Sequence, residues 1–113
     1  MNESLCRSMV KERANGLCEK CGNRGSDMHH RKNRSQGGQW CPTNIVLLCR
    51  ACHHKITVNP GLAEEDGWTV KRCDEPADIP VVASTMYNPL PQTVYLTADG
   101  GFSFSFVSQS HSS

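Results

Sequence analysis

The residues best suited to chemistry are histidines and cysteines crowded into residues 18–54. Cys18 and Cys21 form one Cys-x-x-Cys pair, and Cys49 and Cys52 form a second. Each pair can chelate one side of a tetrahedral ion, so together they predict a structural zinc site. Because the 27 residues between the pairs exceed the spacing of most zinc ribbons, we expect this insertion to hold the remaining chemistry.

Two adjacent histidine pairs accompany these cysteines. His29 and His30 lie in the insertion, whereas His53 and His54 directly follow Cys52. Consecutive residues of a strand point to opposite faces, so His29 and His30 are expected to have different tasks. Consecutive residues of a helix are about 100° apart, so Cys52 can face the zinc while His53 faces the insertion. For His54 an exposed position is favoured over a ligand or a phosphate contact.

A helix must precede the cysteines. Residues 4–14 carry apolar side chains at helical spacing, and Asn15-Gly16 is a plausible end for this helix. Arg7, Lys11 and Arg13 are expected on or near its exposed side.

The elements that would position the histidines follow in order. The sequence predicts a short strand at residues 27–31, a polar loop at 32–43, a strand at Ile45–Leu48 and a helix at Arg50–Val58. Asn59-Pro60-Gly61 is expected to end that helix.

The chain beyond Gly61 is acidic and punctuated by proline. Residues 68–72 are predicted to form a strand, and residues 94–97 and 102–107 a hairpin around Ala-Asp-Gly-Gly. The last residues, 109–113, are expected to be disordered.

The net charge of +1 conceals two halves of opposite sign. Residues 1–60 hold ten Lys/Arg against four Asp/Glu, and residues 61–113 hold two against seven, giving +6 and −5. A basic half suits a polyanion such as nucleic acid, although a chance bias of solvated charges remains the alternative.

Signal-peptide and membrane-helix patterns are absent from the sequence, so we expect a cytoplasmic protein with reduced thiols and no membrane partner. In that setting, seven cysteines in 113 residues suggest metal ligands before disulfides.

Residues 18–56 resemble the HNH endonuclease motif in its four-cysteine form. The motif letters fall on His30, Asn44 and His53, and the segment from Asn44 to His53 is the most specific part. A looser likeness to the small HNH proteins of tailed phages continues through Gly67-Trp68 and residues 78–81.

The resemblance implies an α+β fold. This would be a small zinc-stapled ββα-metal (His-Me finger) fold with an N-terminal helix and a C-terminal β-hairpin extension. We expect residues 1–60 to form the nuclease core with its structural zinc, and residues 61–113 an acidic extension of short strands with a disordered end.

The family also implies roles for individual residues. His30 would be the general base, His29 and His53 would bind one catalytic divalent cation, and Asn44 would fix the loop that orients His30. The cysteines at 18, 21, 49 and 52 would hold the separate structural zinc. Since many members carry aspartate where this chain has His29, Mg²⁺, Mn²⁺, Ni²⁺ and Zn²⁺ all remain candidates for the catalytic ion.

By the same resemblance the protein would be a hydrolase that cleaves DNA, with double-stranded DNA as substrate and 5′-phosphate and 3′-hydroxyl products. Its predicted phosphate contacts are Arg31, Lys32, Arg34 and Arg50. Sequence specificity is expected to be weak, because no element long enough to read many bases is evident. The biological role is open among phage DNA packaging, homing and restriction. Analogy with small phage proteins encoded near terminases favours packaging beside a terminase, in the cytoplasm of a bacterial host. The alternative is a non-catalytic zinc-ribbon protein that binds DNA as an accessory factor.

Overall fold

The computed structural model describes residues 1–85 and 88–104. Within these ranges it contains the helices α1 (Glu3–Ala14), α2 (Arg50–Val58) and α3 (Pro60–Glu65), and the strands β1 (Asp27–His30), β2 (Ile45–Leu48), β3 (Val81–Thr85), β4 (Asn88–Leu96) and β5 (Phe102–Ser103). Two short 3₁₀ helices lie at Arg34–Gln36 and Pro76–Asp78. None of the helices in these ranges is both long and apolar enough to span a membrane.

A two-stranded antiparallel ribbon, β1–β2, lies at the centre of the fold. Its register pairs His29 with Val46 and His30 with Ile45. All four residues of β2 are buried, which is why this run is apolar at every position rather than alternating. The ribbon therefore needs packing partners on both faces.

Each face of the ribbon belongs to a different apolar cluster. One cluster joins β2 to α1 through Cys6, Val10, Ala14, Ile45 and Leu47. The other joins β2 to α2, α3 and the C-terminal strands through Val46, Leu48, Ile56, Trp68, Val81 and their neighbours. The second cluster thus contains residues from both the predicted core and the predicted extension, so residues 1–60 and 61–104 share one hydrophobic core.

Helix α1 confirms the prediction for residues 4–14. The Asn2 side chain caps its N-terminus by accepting a hydrogen bond from the Leu5 amide, and Asn15 ends it in the left-handed conformation. The expected exposure of Arg13 was wrong. This residue is 5% exposed, because its guanidinium pairs with Glu19 and donates to two backbone carbonyls.

The strand β2 and the helix α2 also match their predictions, and the polar loop contains only the short helical turn Arg34–Gln36. Pro60, however, does more than end α2. It also lies in the first turn of the next helix, α3, where a fixed φ and a missing N–H are tolerated.

The strand predicted at residues 68–72 is absent; this segment is irregular. Its backbone makes isolated hydrogen bonds, from the Trp68 amide to Ala63 and from the Val70 amide to Arg31, instead of a ladder. Trp68 is 1% exposed, so the segment is fixed by burial of its indole and its apolar pattern reflects this anchor.

The C-terminal strands form a three-stranded antiparallel sheet in the order β3–β4–β5. The predicted hairpin is present for β4 and β5, with Leu96 opposite Phe102. Strand β3 was not anticipated. The parts of the prediction at residues 105–107 and 109–113 lie outside the described residues.

These elements together confirm the α+β class. The connection between the central ribbon and the C-terminal segment depends on Arg31, which is 2% exposed. Its guanidinium donates to the carbonyls of Thr43, Gly67, Pro76 and Ile79 at 2.6–3.1 Å. One buried cation therefore fastens three stretches of chain to the end of β1.

We predict that Arg31→Leu lowers the free energy of unfolding by about 3–5 kcal/mol or prevents folding, because four carbonyl groups, three of them on buried residues, lose their donor. Urea unfolding followed by circular dichroism measures this change. Arg24→Leu, at an exposed arginine, is the matched control and should change stability by no more than about 0.5 kcal/mol. Equal effects of the two substitutions would contradict the role given to Arg31.

Candidate functional site: a cysteine cluster and a histidine centre

The four cysteines of the two Cys-x-x-Cys pairs converge. Their sulfur atoms all lie within 4.8 Å of one another, and Cys21 Sγ is 3.7 Å from Cys49 Sγ. Four thiolates at about 2.3 Å from a tetrahedral zinc stand about 3.8 Å apart, so the cluster fits this ion. Backbone amides support the sulfurs: Lys20 N–H donates to Cys18 Sγ and Cys52 N–H to Cys49 Sγ, both at 3.4 Å.

The pKa values of the clustered cysteines also favour a bound cation. The Cys52 amide at the start of α2 helps to lower the pKa of Cys49 to about 7. Burial and the neighbouring thiols raise the pKa of Cys52, because crowded thiolates repel one another. A divalent cation removes this conflict by binding all four sulfurs as thiolates.

His29 faces the α2 side of the ribbon, next to His53. Its Nε2 lies 2.7 Å from the carbonyl oxygen of Trp68. Burial is the main cause that lowers the pKa of His29 to about 4, so the ring is neutral at physiological pH. A carbonyl can only accept, so Nε2 carries the proton and the lone pair is left on Nδ1.

His53, on α2, is oriented in the same manner by Asp27. The His53 Nδ1 atom lies 2.9 Å from Asp27 Oδ2, and this hydrogen bond lowers the pKa of Asp27 below its usual value. A carboxylate behind a ligating histidine fixes its tautomer and leaves Nε2 for a metal. Asp27 is not among the residues predicted for the site, although its position two residues before His29 on a strand places both on one face.

The two rings are suitably placed to share an ion. The centroids of His29 and His53 are 5.2 Å apart at an interplanar angle of 65°. Imidazoles bound to one cation at about 2.1 Å place their ring centroids on the order of 5 Å apart. Among the described residues the four cysteines are the one cluster of three or more potential ligands, so the histidine centre could offer an ion these two imidazoles as ligands.

His30 points to the opposite side of the ribbon, toward α1. Its ring contacts Trp40 in a T-shaped arrangement, with the centroids 4.6 Å apart. Burial and the nearby Arg34 and Arg7 lower the pKa of His30 below its usual value. A neutral ring at physiological pH is the form that can accept a proton.

Asn44 closes the loop that follows His30. Its side chain accepts a hydrogen bond from the Lys32 amide at 2.8 Å and donates to the carbonyls of Lys32 and Gln39, both at 3.1 Å. Gly38 completes the closure, since a Cβ there would lie 1.7 Å from the Lys32 oxygen. The two ends of the loop are thereby held together next to the strand end that carries His30.

The predicted phosphate contacts separate into two groups. Arg31 is buried and its donors are used by four carbonyls, so the expectation that it meets DNA is not retained. Lys32 Nζ donates to the Asp74 carbonyl at 2.8 Å, which leaves part of its hydrogen-bonding capacity. Arg34 and Arg50 are exposed, and the Arg50 Nε atom lies 3.4 Å from Asp27 Oδ2.

Comparison with known proteins agrees with the motif. Residues 18–58 match the model of the family described as HNH endonuclease. This range includes both cysteine pairs, His29, His30, Asn44 and His53. No curated protein and no solved structure matches the chain.

We predict that Cys49→Ser loses the zinc and unfolds the protein, because the binding energy of a structural zinc is folding energy. Metal content by atomic emission and secondary structure by circular dichroism are the measurements. Cys73→Ser, at an exposed cysteine outside the cluster, should keep both. A well-folded, zinc-free Cys49→Ser protein would refute the structural role of the cluster.

We predict that Asp27→Ala weakens binding of Mn²⁺ or Ni²⁺ to the zinc-loaded protein by roughly 10- to 100-fold, because His53 loses the group that orients it. Isothermal titration calorimetry measures this affinity without any nuclease assay. Asp66→Ala removes an exposed carboxylate elsewhere and serves as the control. Unchanged affinity in the Asp27 variant would show that the hydrogen bond to His53 does not serve metal binding.

Proposed function

We propose that this chain, whose residues 18–58 match the HNH endonuclease family, is a metal-dependent endonuclease that hydrolyses phosphodiester bonds of DNA. The observation that carries the proposal is the pair His29 and His53. Each has one ring nitrogen engaged by a protein acceptor, so that each is left with one nitrogen free to bind a cation next to the strand end that carries His30.

The placement of the histidines suits an in-line displacement. His29 and His30 point to opposite faces at the end of β1. In hydrolysis the attacking water and the leaving 3′ oxygen stand on opposite sides of the phosphorus. We assign the water to the His30 side, where the neutral ring accepts its proton, and the leaving oxygen to the His29 side.

The divalent cation, held by His29 and His53, would neutralise charge on the phosphate and stabilise the leaving oxygen. Asn44 keeps the loop after His30 closed, and the Trp68 carbonyl keeps His29 in the tautomer that binds metal. The products would carry a 5′-phosphate and a 3′-hydroxyl.

Exposed cations near the centre are the proposed contacts to the DNA backbone. Arg34 lies on the His30 side and Arg50 beside Asp27, with Lys32 between the loop and the C-terminal segment. Lys71 and Arg72, the two cations of the acidic half, line an open groove of about 440 Å³ next to Arg31. Backbone contacts carry little base information, so we infer low sequence specificity.

The biological setting rests on resemblance alone. Likeness to small tailed-phage proteins supports a role in DNA packaging, with a terminase as partner. Apart from Lys71 and Arg72, the charged side chains of residues 61–113 are acidic and would repel DNA, so they are candidates for contact with such a partner.

We predict that His30→Ala lowers the rate of plasmid nicking by roughly 10²- to 10⁴-fold, which is the contribution of a well-placed general base. The assay is run on zinc-loaded protein supplemented separately with Mg²⁺, Mn²⁺, Ni²⁺ or Zn²⁺. Zinc content and thermal stability should not change, because His30 lies outside the cysteine cluster.

His54→Ala is the matched control, since His54 is exposed on α2 beside His53. It should nick DNA at the rate of the unmodified protein. Full activity of His30→Ala would refute its role as the base. DNA binding without nicking in any of the four ions would instead favour the non-catalytic zinc-ribbon protein.

A further inference from the structure

The buried Nε2 atom of His30 is shielded from solvent and has no hydrogen-bond partner among the described residues. An unpaired polar atom in such a position is unfavourable unless another group compensates it. The aromatic ring of Trp40 is the neighbour placed to do so, at 4.6 Å between centroids and 78° between planes.

A T-shaped pair places the edge of one ring over the face of the other, and an N–H at that edge can donate to the π electrons. A neutral histidine carries one proton, on either Nδ1 or Nε2. If Nε2 carries it, the buried atom gains the indole as its acceptor, and the lone pair lies on Nδ1. The opposite tautomer would leave a buried lone pair facing a ring that offers no donor in this arrangement.

We propose that Trp40 is a positioning residue for His30: its indole face accepts the Nε2 proton, which holds the ring in one orientation and reserves Nδ1 for the attacking water. This inference rests on the proposed nuclease function. Trp40 would orient His30 as the Trp68 carbonyl orients His29 and as Asp27 orients His53. All three histidines of the site would then have a fixed tautomer.

Trp40 is itself held from two sides. The Arg7 guanidinium, on α1, lies 4.8 Å from the centroid of the indole ring, within the range of a cation–π contact. Trp40 also packs against the apolar cluster between α1 and β2, and it directly follows Gln39, whose carbonyl is bound by Asn44. The indole therefore has a defined place against which the His30 ring can be oriented.

The first test reads the tautomer directly and needs no DNA. Long-range ¹H–¹⁵N spectra of ¹⁵N-histidine-labelled, zinc-loaded protein, with His30 assigned by its loss in His30→Ala, should show the Nε2–H tautomer. The His30 ring protons should be shifted upfield by the Trp40 ring current. Trp40→Phe should keep the single tautomer, and Trp40→Ala should give a mixture of tautomers and lose the shift.

The second test measures nicking. Trp40→Ala should lower kcat roughly 10- to 100-fold, because a misplaced base loses much of its contribution, whereas the affinity for DNA should stay unchanged. Trp40→Phe should restore most of the rate, since a phenyl face is also a π acceptor. Glu65→Ala, at an exposed side chain of α3 outside this loop, is the control and should behave as the unmodified protein. Zinc content and circular dichroism establish that each variant is folded.

Three results would overturn the assignment: a His30 ring protonated on Nδ1, upfield shifts on Trp40 protons instead of His30 protons, or a Trp40→Ala protein that nicks DNA at an equal or higher rate. An equal or higher nicking rate of Trp40→Ala would mean that the indole shields His30 instead of orienting it. If the unmodified protein shows the expected tautomer but does not nick DNA, the proposed function fails while the contact between the two rings stands.

Discussion

The alternation of side chains along β1 governs the whole arrangement. His29 and His30 are consecutive, so they point to opposite faces of the ribbon. Each histidine therefore needs other elements packed around it on its own face. Helix α1 and Trp40 pack on the face of His30, whereas α2 and the segment at Trp68 pack on the face of His29. An isolated two-stranded ribbon is at best marginally stable in water. The elements packed on its two faces therefore stabilise the fold and form the candidate site.

Buried arginines, in addition to apolar packing, connect the ribbon to α1 and to the C-terminal segment. Arg13 bonds Glu19 and the carbonyls of Pro42 and Ile45, and Glu19 in turn accepts from the Leu47 amide. Arg31, directly after β1, plays the same part for the C-terminal segment through the carbonyls of Gly67, Pro76 and Ile79. In a chain of this size, loops near the centre leave backbone carbonyls without ladder partners, and a guanidinium with five donors can satisfy several of them at once.

The sequence was sufficient for whatever depends on local spacing. The cysteine pairs, the helix at residues 4–14, β2 and the separation of His29 from His30 follow from periodicity and motif. What it missed depends on long-range contacts. Nothing in the pattern distinguishes the buried Arg13 and Arg31 from exposed cations such as Arg34, because burial of a charge is decided by which carbonyls the fold brings near. The sequence predicts a strand at Trp68 for the same reason, since a single buried tryptophan and a strand residue give the same local pattern.

His29 stands at a position where a carboxylate is common in the family that the motif resembles. In this structure the nearby carboxylate is that of Asp27, which is hydrogen-bonded to His53. Asp27 lies two residues from His29 on the same face of β1. Negative charge is thus present at the centre, but it would reach a cation held by His29 and His53 through an imidazole instead of an oxygen. As ligands, two imidazoles backed by a carboxylate and a carbonyl would suit a transition metal better than Mg²⁺, which prefers oxygen. The C-terminal segment belongs to this centre as well, because it provides the Trp68 carbonyl that sets the tautomer of His29.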